Sequence, residues 1–389
     1  MPGTKLRIGI LTFHFSENFG ALLQAYGLRS WLAGLGHTVE FINYHPSHVE
    51  AGGSFSRLLD PRALKANAKI AYLKLTSLRE RLFGNKGQAE AFADFRRGEL
   101  GLTGAPLRDL AEVEAHLAAM PVPYDLIVLG SDQVWSASEQ HGLDRVYFAD
   151  FAVPEGTRRI SYAPSFGKAT VAPEYRDELR RMLAGLDGIS CREASGAAIV
   201  RELTGREIAC VPDPTLLLGD FAALSRQADG PQGHVFCYAL RSAGGIREVT
   251  DWVGKELGAP ILSPYNAHRR WKEIGQTVYP SPAEWVALVD RAAYVVTNSF
   301  HGTVFSILLQ KPFLVAGLPG KRAALNERAL NLLGELGLQD RFIENGDLAM
   351  AQRRFAEPIE WEEVNERLRR LQLDGRDYLD RELRKSMAA

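Results

Sequence analysis

The segment best suited to proton transfer is residues 297–303, with the sequence TNSFHGT. His301 lies there between a short apolar run and a stretch with helical periodicity. The dipole at a helix start favours the neutral imidazole, whereas a facing anionic substrate favours the protonated form, and either suits proton transfer near neutral pH. The alternative is a histidine that makes structural hydrogen bonds only. Its polar setting, with Ser299 and Gly302 beside it, favours the catalytic interpretation.

Cationic side chains at two other places could bind an anion. Arg192 lies at a junction between a predicted strand and a predicted helix. Its planar guanidinium could bind a carboxylate or a phosphate through two parallel hydrogen bonds. A salt bridge with Glu193 or another acid is the alternative. Lys321 and Arg322 follow a later predicted strand, where they could close on a phosphate.

Two groups of polar residues could hold sugar hydroxyls. Both follow predicted strands, and ligands of open α/β sheets bind outside the carboxyl ends of strands. The candidates are Asn18, Gly20 and Gln24 in the first group and Ser131, Asp132, Gln133 and Trp135 in the second. Hydroxyl, carboxylate and amide groups can bind sugar hydroxyls, and the indole could stack on a pyranose. The alternative for both groups is a tight turn with a helix cap.

These candidates are positioned by short apolar runs that alternate with longer amphipathic stretches. Such alternation predicts parallel sheets with helical crossovers. The predicted strands are 8–13, 39–44, 126–129, 159–162, 188–191, 208–211, 235–239, 260–262, 294–297 and 313–316. A stretch rich in glycine, at 218–233, separates the two series.

The pattern therefore predicts an α/β fold of two Rossmann-like domains that face each other across a cleft, a glycosyltransferase-B-like architecture. Residues 1–220 form the expected acceptor side, and residues 230–357 carry His301. Residues 358–389 are predicted to be helical and to pack back on the first domain. A length of 389 residues agrees with two domains, since one hydrophobic core rarely supports so many.

Composition excludes several classes of protein. The net charge of −1 argues against a nucleic-acid partner. The three cysteines are widely spaced and form no CxxC pair, so neither a metal site nor a disulfide framework is predicted. The first apolar run is too short for a signal peptide, and no apolar stretch approaches the length of a membrane span. We therefore expect a cytoplasmic protein.

One segment, residues 56–86, is locally basic. A solvated helical face is the simpler interpretation. The alternative is a surface that docks on anionic lipid, which would place the protein peripherally at the inner face of the cell membrane.

Six motifs taken together resemble the polysaccharide pyruvyltransferase family. They are NFGALLQ at 18–24, GSDQVW at 130–135, SYA at 161–163, REAS at 192–195, DPT at 213–215 and SFHG at 299–302. Their order covers about residues 8 to 325, and the first and last motifs are the most specific. The chain looks like the branch of the family that begins with Asn-Phe/Tyr-Gly-Ala.

The resemblance implies a donor, phosphoenolpyruvate, and an acceptor sugar of a bacterial surface glycan, which could be nucleotide- or lipid-linked. A pyruvate ketal forms and phosphate is released. His301 is implied to be the general acid that protonates the methylene carbon of phosphoenolpyruvate, and Arg192 to bind the donor carboxylate or phosphate. Ser299, Gly302, Lys321 and Arg322 complete the expected donor site. No metal and no further cofactor is expected.

One departure from the family pattern is Phe300, where many members carry arginine or another polar residue. It removes a possible anion ligand. The main alternative function is a glycosyltransferase of the same fold that uses a nucleotide sugar, but residues 297–310 contain no carboxylate to bind a donor ribose. A non-catalytic glycan-binding relative is the second alternative, against which His301, Arg192 and Asp132 argue.

Overall fold

The computed structural model describes residues 5–46, 67–68, 70–72, 74–75, 85–138, 141–242, 245–265 and 273–388, apart from the side chains of 321, 322 and 324. The chain divides into two compact units. The N-terminal unit comprises Met1–Lys86, Ala93–Leu217 and Leu373–Ala389. The C-terminal unit comprises Gly87–Phe92 and Leu218–Gln372.

The N-terminal unit is built on parallel strands. Four of them form a sheet in the order β2-β1-β3-β4: β1 (Arg7–Leu11), β2 (Thr38–Phe41), β3 (Leu126–Leu129) and β4 (Arg158–Ser161). Two short strands, β5 (Ser190–Cys191) and β6 (Ala209–Cys210), pair with each other. An isolated parallel bridge between Ile160 and Gly188 links β4 to the approach of β5. Because all these strands are parallel, their carboxyl ends lie at the same edge.

Helices connect these strands, and the bounds follow the sequence pattern closely. They are α1 (Phe19–Gly34), α2 (Lys86–Gly98), α3 (Leu110–Ala118), α4 (Arg176–Ala184), α5 (Ala194–Thr204) and α6 (Pro214–Leu218). All four residues of β3 are buried. Continuous burial of this kind is typical of a parallel sheet that is covered on both faces.

The C-terminal unit contains a second parallel sheet, in the order β12-β11-β10-β7-β8-β9. Its strands are β7 (Val235–Tyr238), β8 (Ile261–Pro264), β9 (Gln276–Val278), β10 (Tyr294–Thr297), β11 (Phe313–Ala316) and β12 (Phe342–Ile343). Its helices are α7 (Ala222–Arg226), α8 (Ile246–Leu257), α9 (Pro282–Asp290), α10 (Phe300–Leu308), α11 (Glu327–Leu336) and α12 (Leu348–Ala356). β10 lies near the middle of this sheet, so the residues that follow it lie at a central position.

The last helix, α13 (Trp361–Ala388), is 28 residues long, and its residues from Leu373 onward belong to the N-terminal unit. There the hydroxyl of Tyr378 donates to the carbonyl oxygen of Ser161 at 2.8 Å. Arg158 forms an ion pair with the buried Glu382, with 2.8 Å between Nη2 and Oε2. The end of the chain therefore packs against β4 through a hydrogen bond and a partly buried charge pair.

The predicted α/β class with parallel sheets is confirmed. The strands at 126–129, 294–297 and 313–316 have the predicted bounds. β9 and β12 are not predicted by the pattern, because three and two residues are too few to form a recognisable apolar run. α10 begins at Phe300, so His301 lies in its first turn.

Within the described ranges, no helix combines the length and the apolar composition that crossing a membrane requires. Most of the basic segment 56–86 lies outside the described residues, and a membrane contact there stays a prediction.

Candidate active site

His301 is the second residue of α10, directly after the end of β10. Ser299 is the N-cap residue: its backbone is extended, and its side-chain oxygen accepts a hydrogen bond from the amide of Gly302 at 3.4 Å. The capped first turn leaves backbone N–H groups and the positive end of the helix dipole beside His301. The sequence therefore folds this histidine into a local environment that favours a negatively charged ligand.

Gly302 allows the helix to start close against the strand. A Cβ atom at this position would lie 2.2 Å from Oγ1 of Thr297. That hydroxyl donates to the carbonyl oxygen of Tyr238 at 2.7 Å and accepts from the amide of Ser299 at 3.1 Å. The glycine thus has a packing role that fixes where His301 lies, and its predicted contact with the donor stays a prediction.

The loops after β7 and β10 are joined by Asn298. Its side-chain oxygen accepts from the amide of Leu240 at 2.8 Å, and its side-chain nitrogen donates to the carbonyl oxygen of Arg241 at 2.7 Å. Both groups of the amide are therefore engaged in holding the two strand ends together.

A cationic side chain that the sequence pattern does not identify lies against the ring of Phe300, the residue before His301. His301 is 7% exposed, and its ring centroid is 5.2 Å from that of Phe300. The guanidinium carbon of Arg328, from the first turn of α11, lies 5.8 Å from the centroid of the Phe300 ring. Asn326 holds this helix start, because its amide exchanges hydrogen bonds with the backbone of Leu318 at 2.9 and 3.0 Å. No local motif marks Arg328, which is why the sequence pattern misses it.

The backbone of Lys321 and Arg322 lies in a 3₁₀ helix, Gly320–Asn326, that follows β11. Their side chains lie outside the described part of the structure. Their predicted role as phosphate ligands therefore stays a prediction.

In the N-terminal unit, Arg192 forms a buried network with residues from three strand ends. Its Nη1 donates to Oδ2 of Asp213 at 2.8 Å and to the hydroxyl of Ser131 at 3.2 Å. Its Nε donates to Oε1 of Glu193 at 2.9 Å. The other oxygen of Asp213 accepts from the amide and the hydroxyl of Thr215, at 3.0 and 2.7 Å. The network ties together the segments that follow β3, β5 and β6.

The charge balance around Arg192 is negative. Burial would lower the pKa of its guanidinium, but the charges of Glu193, Asp213 and Asp132 together raise that pKa above its usual value. Arg192 therefore forms the salt bridge with Glu193 that is the alternative to a donor contact, together with a second salt bridge to Asp213. An anionic donor would have to compete with two bonded carboxylates, and the donor role of Arg192 stays a prediction.

Asp132 and Gln133 are half-buried at the end of β3. Asp132 has a φ of 76°, which is uncommon for a residue other than glycine. Its side chain accepts from the amide of Gln133 at 2.8 Å, and its carbonyl oxygen accepts from the amide of Ser165 at 2.9 Å. Strained backbone of this kind is often found at functional sites. The predicted contacts of Ser131, Asp132 and Gln133 with an acceptor remain predictions.

The first acceptor group has structural roles in the turn between β1 and α1. Asn18 is the N-cap of α1 and accepts from the amide of Ala21 at 3.2 Å. Gly20 is buried in the first turn. Gln24 is fully buried, and its side-chain nitrogen donates to the hydroxyl of Thr12 at 2.9 Å. Gly20 and Gln24 are therefore buried in this turn, and the predicted contacts of Asn18, Gly20 and Gln24 with an acceptor stay predictions.

Trp135 is also buried. Its side chain is part of the hydrophobic core and only 1% exposed. The indole N–H donates to the carbonyl oxygen of Tyr147 at 2.9 Å, and the ring stacks on Phe148 with 5.2 Å between centroids and 9° between planes. The ring therefore already has a stacking partner, and its predicted stacking on a pyranose stays a prediction.

Among the described residues, no three His, Cys, Asp or Glu side chains are grouped in a way that could hold a metal ion.

Several solved structures are similar to the chain. UDP-GlcNAc 2-epimerase from Rickettsia bellii is 11% identical, with a TM-score of 0.46 and coverage of 97% of this chain and 99% of that one. UDP-GlcNAc 2-epimerase from Methanocaldococcus jannaschii is 9% identical, with a TM-score of 0.44 and coverage of 92% and 93%. The E. coli heptosyltransferase WaaC is 11% identical, with a TM-score of 0.37 and coverage of 82% and 90%.

No curated protein matches the sequence. Residues 18–317 match the family model described as Polysaccharide pyruvyl transferase. The matched range begins at Asn18 and includes Arg192 and the capped start of α10 with His301. Since this range is well over half of the chain, the protein belongs to the polysaccharide pyruvyl transferase family and is a transferase.

Proposed function

We propose that the protein transfers a pyruvyl group from phosphoenolpyruvate to a sugar of a bacterial surface glycan or of its precursor. The product is a pyruvate ketal, and inorganic phosphate is released. Membership of the family supports a sugar acceptor. The observation that carries the proposal is the position of His301: a largely buried acid or base in the first turn of a capped helix, next to Phe300, whose ring lies under the cation of Arg328.

The chemistry assigns one proton transfer to His301. The imidazolium gives its proton to the methylene carbon of phosphoenolpyruvate, which becomes a methyl group. The neighbouring carbon becomes electrophilic, and a first sugar hydroxyl adds to it while losing its proton to the imidazole. A second hydroxyl then bonds to the same carbon, the bond from carbon to the phosphate oxygen breaks with its electron pair, and the proton of this hydroxyl passes to the departing phosphate. Atoms balance without a metal or a redox cofactor.

The electrostatics of α10 suit this donor. Phosphoenolpyruvate carries both a carboxylate and a phosphate, and the start of a helix favours such anions. Positive charge near His301 also favours the negatively charged donor over a neutral sugar. Phe300 occupies a position where many family members carry a polar residue, and Arg328 supplies a cation against its ring. We therefore assign an anion-binding role to Arg328.

Replacing Arg328 with glutamine is expected to weaken phosphoenolpyruvate binding. A hydrogen bond to a charged group contributes about 1.5–3 kcal/mol, so the dissociation constant should rise by about tenfold or more. Isothermal titration calorimetry measures it directly. Arg353→Gln, at an exposed position on α12, is the matched control and should bind like the wild type. Equal affinities for Arg328→Gln and Arg353→Gln would remove Arg328 from the donor site.

The donor itself is tested by a thermal-shift titration of the full chain with phosphoenolpyruvate, beside a panel of nucleotide sugars. A ligand that binds only the folded state at about 100 times its dissociation constant stabilises it by about 2.7 kcal/mol. We expect phosphoenolpyruvate to raise the melting temperature. Stabilisation by a nucleotide sugar but not by phosphoenolpyruvate would instead favour a glycosyltransferase, unless that nucleotide sugar proves to be the acceptor of the pyruvyl group.

A further inference from the structure

We propose that a cavity in the N-terminal unit binds the sugar ring of the acceptor. The cavity has a volume of about 310 Å³ and lies between the segment that follows β3 and the segment that follows β4. Its walls come from residues 135–138 and 143 on one side and from residues 166, 168, 170–172, 174 and 175 on the other. This inference rests on the proposed function for the identity of the reaction, but not for the chemistry of the cavity.

The floor of the cavity is apolar and rigid. Trp135, Leu143 and Phe166 line it, and all three belong to the hydrophobic core of the N-terminal unit. The Trp135 ring is stacked on Phe148 and contributes part of this floor. Phe166 lies against the same indole, with 5.3 Å between ring centroids. An apolar floor suits the C–H groups on one face of a pyranose.

The rim of the cavity is rich in hydrogen-bonding groups. It is lined by Ser136, Ser138, Lys168, Thr170, Glu174 and Tyr175. Hydroxyl groups both donate and accept, as sugar hydroxyls do. Lys168 and Glu174 carry opposite charges, so the rim has no bias towards a purely anionic ligand such as phosphoenolpyruvate. A few polar groups around an apolar surface are typical of small-molecule sites, and the chemistry here favours a neutral sugar.

The walls are held in place by their own contacts. Ser138 and Gly142 exchange backbone hydrogen bonds of 2.8 and 3.0 Å. Gly142 has a φ of 65°, and a Cβ atom there would lie 3.1 Å from a ring carbon of Tyr175. The amide of Trp135 donates to the carbonyl oxygen of Ser165 at 3.3 Å, which joins the two walls. A preorganised site of this kind loses little conformational entropy when a ligand binds.

The position and the size of the cavity both agree with an acceptor subsite. The wall begins two residues after Gln133, at the carboxyl ends of β3 and β4, where ligands of parallel sheets bind. Ligand pockets measure about 300–1,000 Å³, so this cavity suits one sugar ring and not a long glycan. It therefore provides the acceptor side with an accessible place, which the buried Gln24 does not.

The test fills the cavity. Ala172 lines it and Ala169 does not, and both are exposed in the same segment. The full-length wild type, Ala172→Trp and Ala169→Trp are compared by saturation-transfer NMR with the methyl glycosides of glucose, galactose, mannose and N-acetylglucosamine. We expect at least one glycoside to bind the wild type and Ala169→Trp, and Ala172→Trp to weaken that binding by about tenfold or more. Lys168→Ala should weaken it as well, without filling the cavity.

Two results would overturn the proposal: no glycoside signal from the wild type, or equal signals from the two tryptophan variants. Thermal shifts with phosphoenolpyruvate, measured on the same proteins, separate this failure from that of the proposed function. If phosphoenolpyruvate stabilises the protein and Ala172→Trp does not change sugar binding, the donor assignment is retained and the cavity is rejected as the sugar site. If Ala172→Trp weakens sugar binding but phosphoenolpyruvate does not change the melting temperature, the cavity is retained as the sugar site and phosphoenolpyruvate is rejected as the donor.

Discussion

Replacement of His301 by alanine should abolish turnover while the protein stays folded. A positioned general acid contributes about 10²- to 10⁴-fold to a rate, and His301 carries the only proton transfer to carbon in the proposed reaction. The measurement is phosphate release from phosphoenolpyruvate, with an acceptor that the wild type uses. Because the imidazole is 7% exposed, part of any effect could come from lost packing, so the unfolding temperature of each variant is measured in parallel.

His301→Gln separates these two effects. Glutamine retains a side chain that donates and accepts hydrogen bonds, but it cannot act as an acid near neutral pH. Stability should return towards that of the wild type, while the rate stays as low as that of His301→Ala. His116→Ala, at an exposed position on α3, is the control for the loss of a histidine as such and should be fully active. A large loss of stability with activity retained would show that His301 is a structural residue.

The second large effect is expected at the ion pair between Arg192 and Asp213. The side chains are 4% and 0% exposed, so removal of Asp213 leaves the buried guanidinium of Arg192 with one of its two bonded carboxylates, that of Glu193. Breaking such a pair typically costs about 3–5 kcal/mol. Asp213→Ala also removes the acceptor for Thr215 and Ser131. We therefore expect a loss of about 3–5 kcal/mol in the free energy of unfolding of the N-terminal unit.

Hydrogen exchange of peptides from the N-terminal unit, in increasing urea, measures this loss separately from the C-terminal unit. The control is Asp94→Ala, which removes the exposed ion pair with Arg97 and should cost no more than about 1 kcal/mol. An effect of Asp213→Ala as small as that of Asp94→Ala would contradict the buried network.

The same network determines how a donor role of Arg192 has to be tested. Arg192→Ala would leave the carboxylate of Asp213 buried and unpaired, so a loss of activity in that variant would not by itself identify a donor contact. Direct binding of phosphoenolpyruvate to a folded variant is the relevant quantity.

Much of the architecture could be predicted from local patterns. Strands buried on both faces, such as β3, β10 and β11, are continuous apolar runs, and the amphipathic stretches between them have helical periodicity. The parallel arrangement follows from this alternation, and it places the polar motifs at strand ends. His301 could be identified as the catalytic candidate because it lies in a short polar segment between a buried strand and a helix.

The details of the candidate site depend on contacts between residues far apart in the chain. Arg192 is 21 residues from Asp213 and 61 from Ser131, and nothing in the local sequence specifies that these three side chains bond to one another. The proximity of Arg328 to Phe300 likewise follows from the packing of α11 beside α10. A local pattern can predict that a charged residue follows a strand, but not with which charged side chain it forms an ion pair.

The sequence by itself determined the α/β class, most strand positions and the place of His301 at a helix start, because hydrophobic periodicity and capping act within a few residues. Only the tertiary structure decided that Gln24 and Trp135 are buried, that Arg192 is bonded to carboxylates and that a cavity lies between the segments after β3 and β4. Burial and ion pairing are properties of how distant segments pack, and the same residue types at the same spacing are compatible with either outcome.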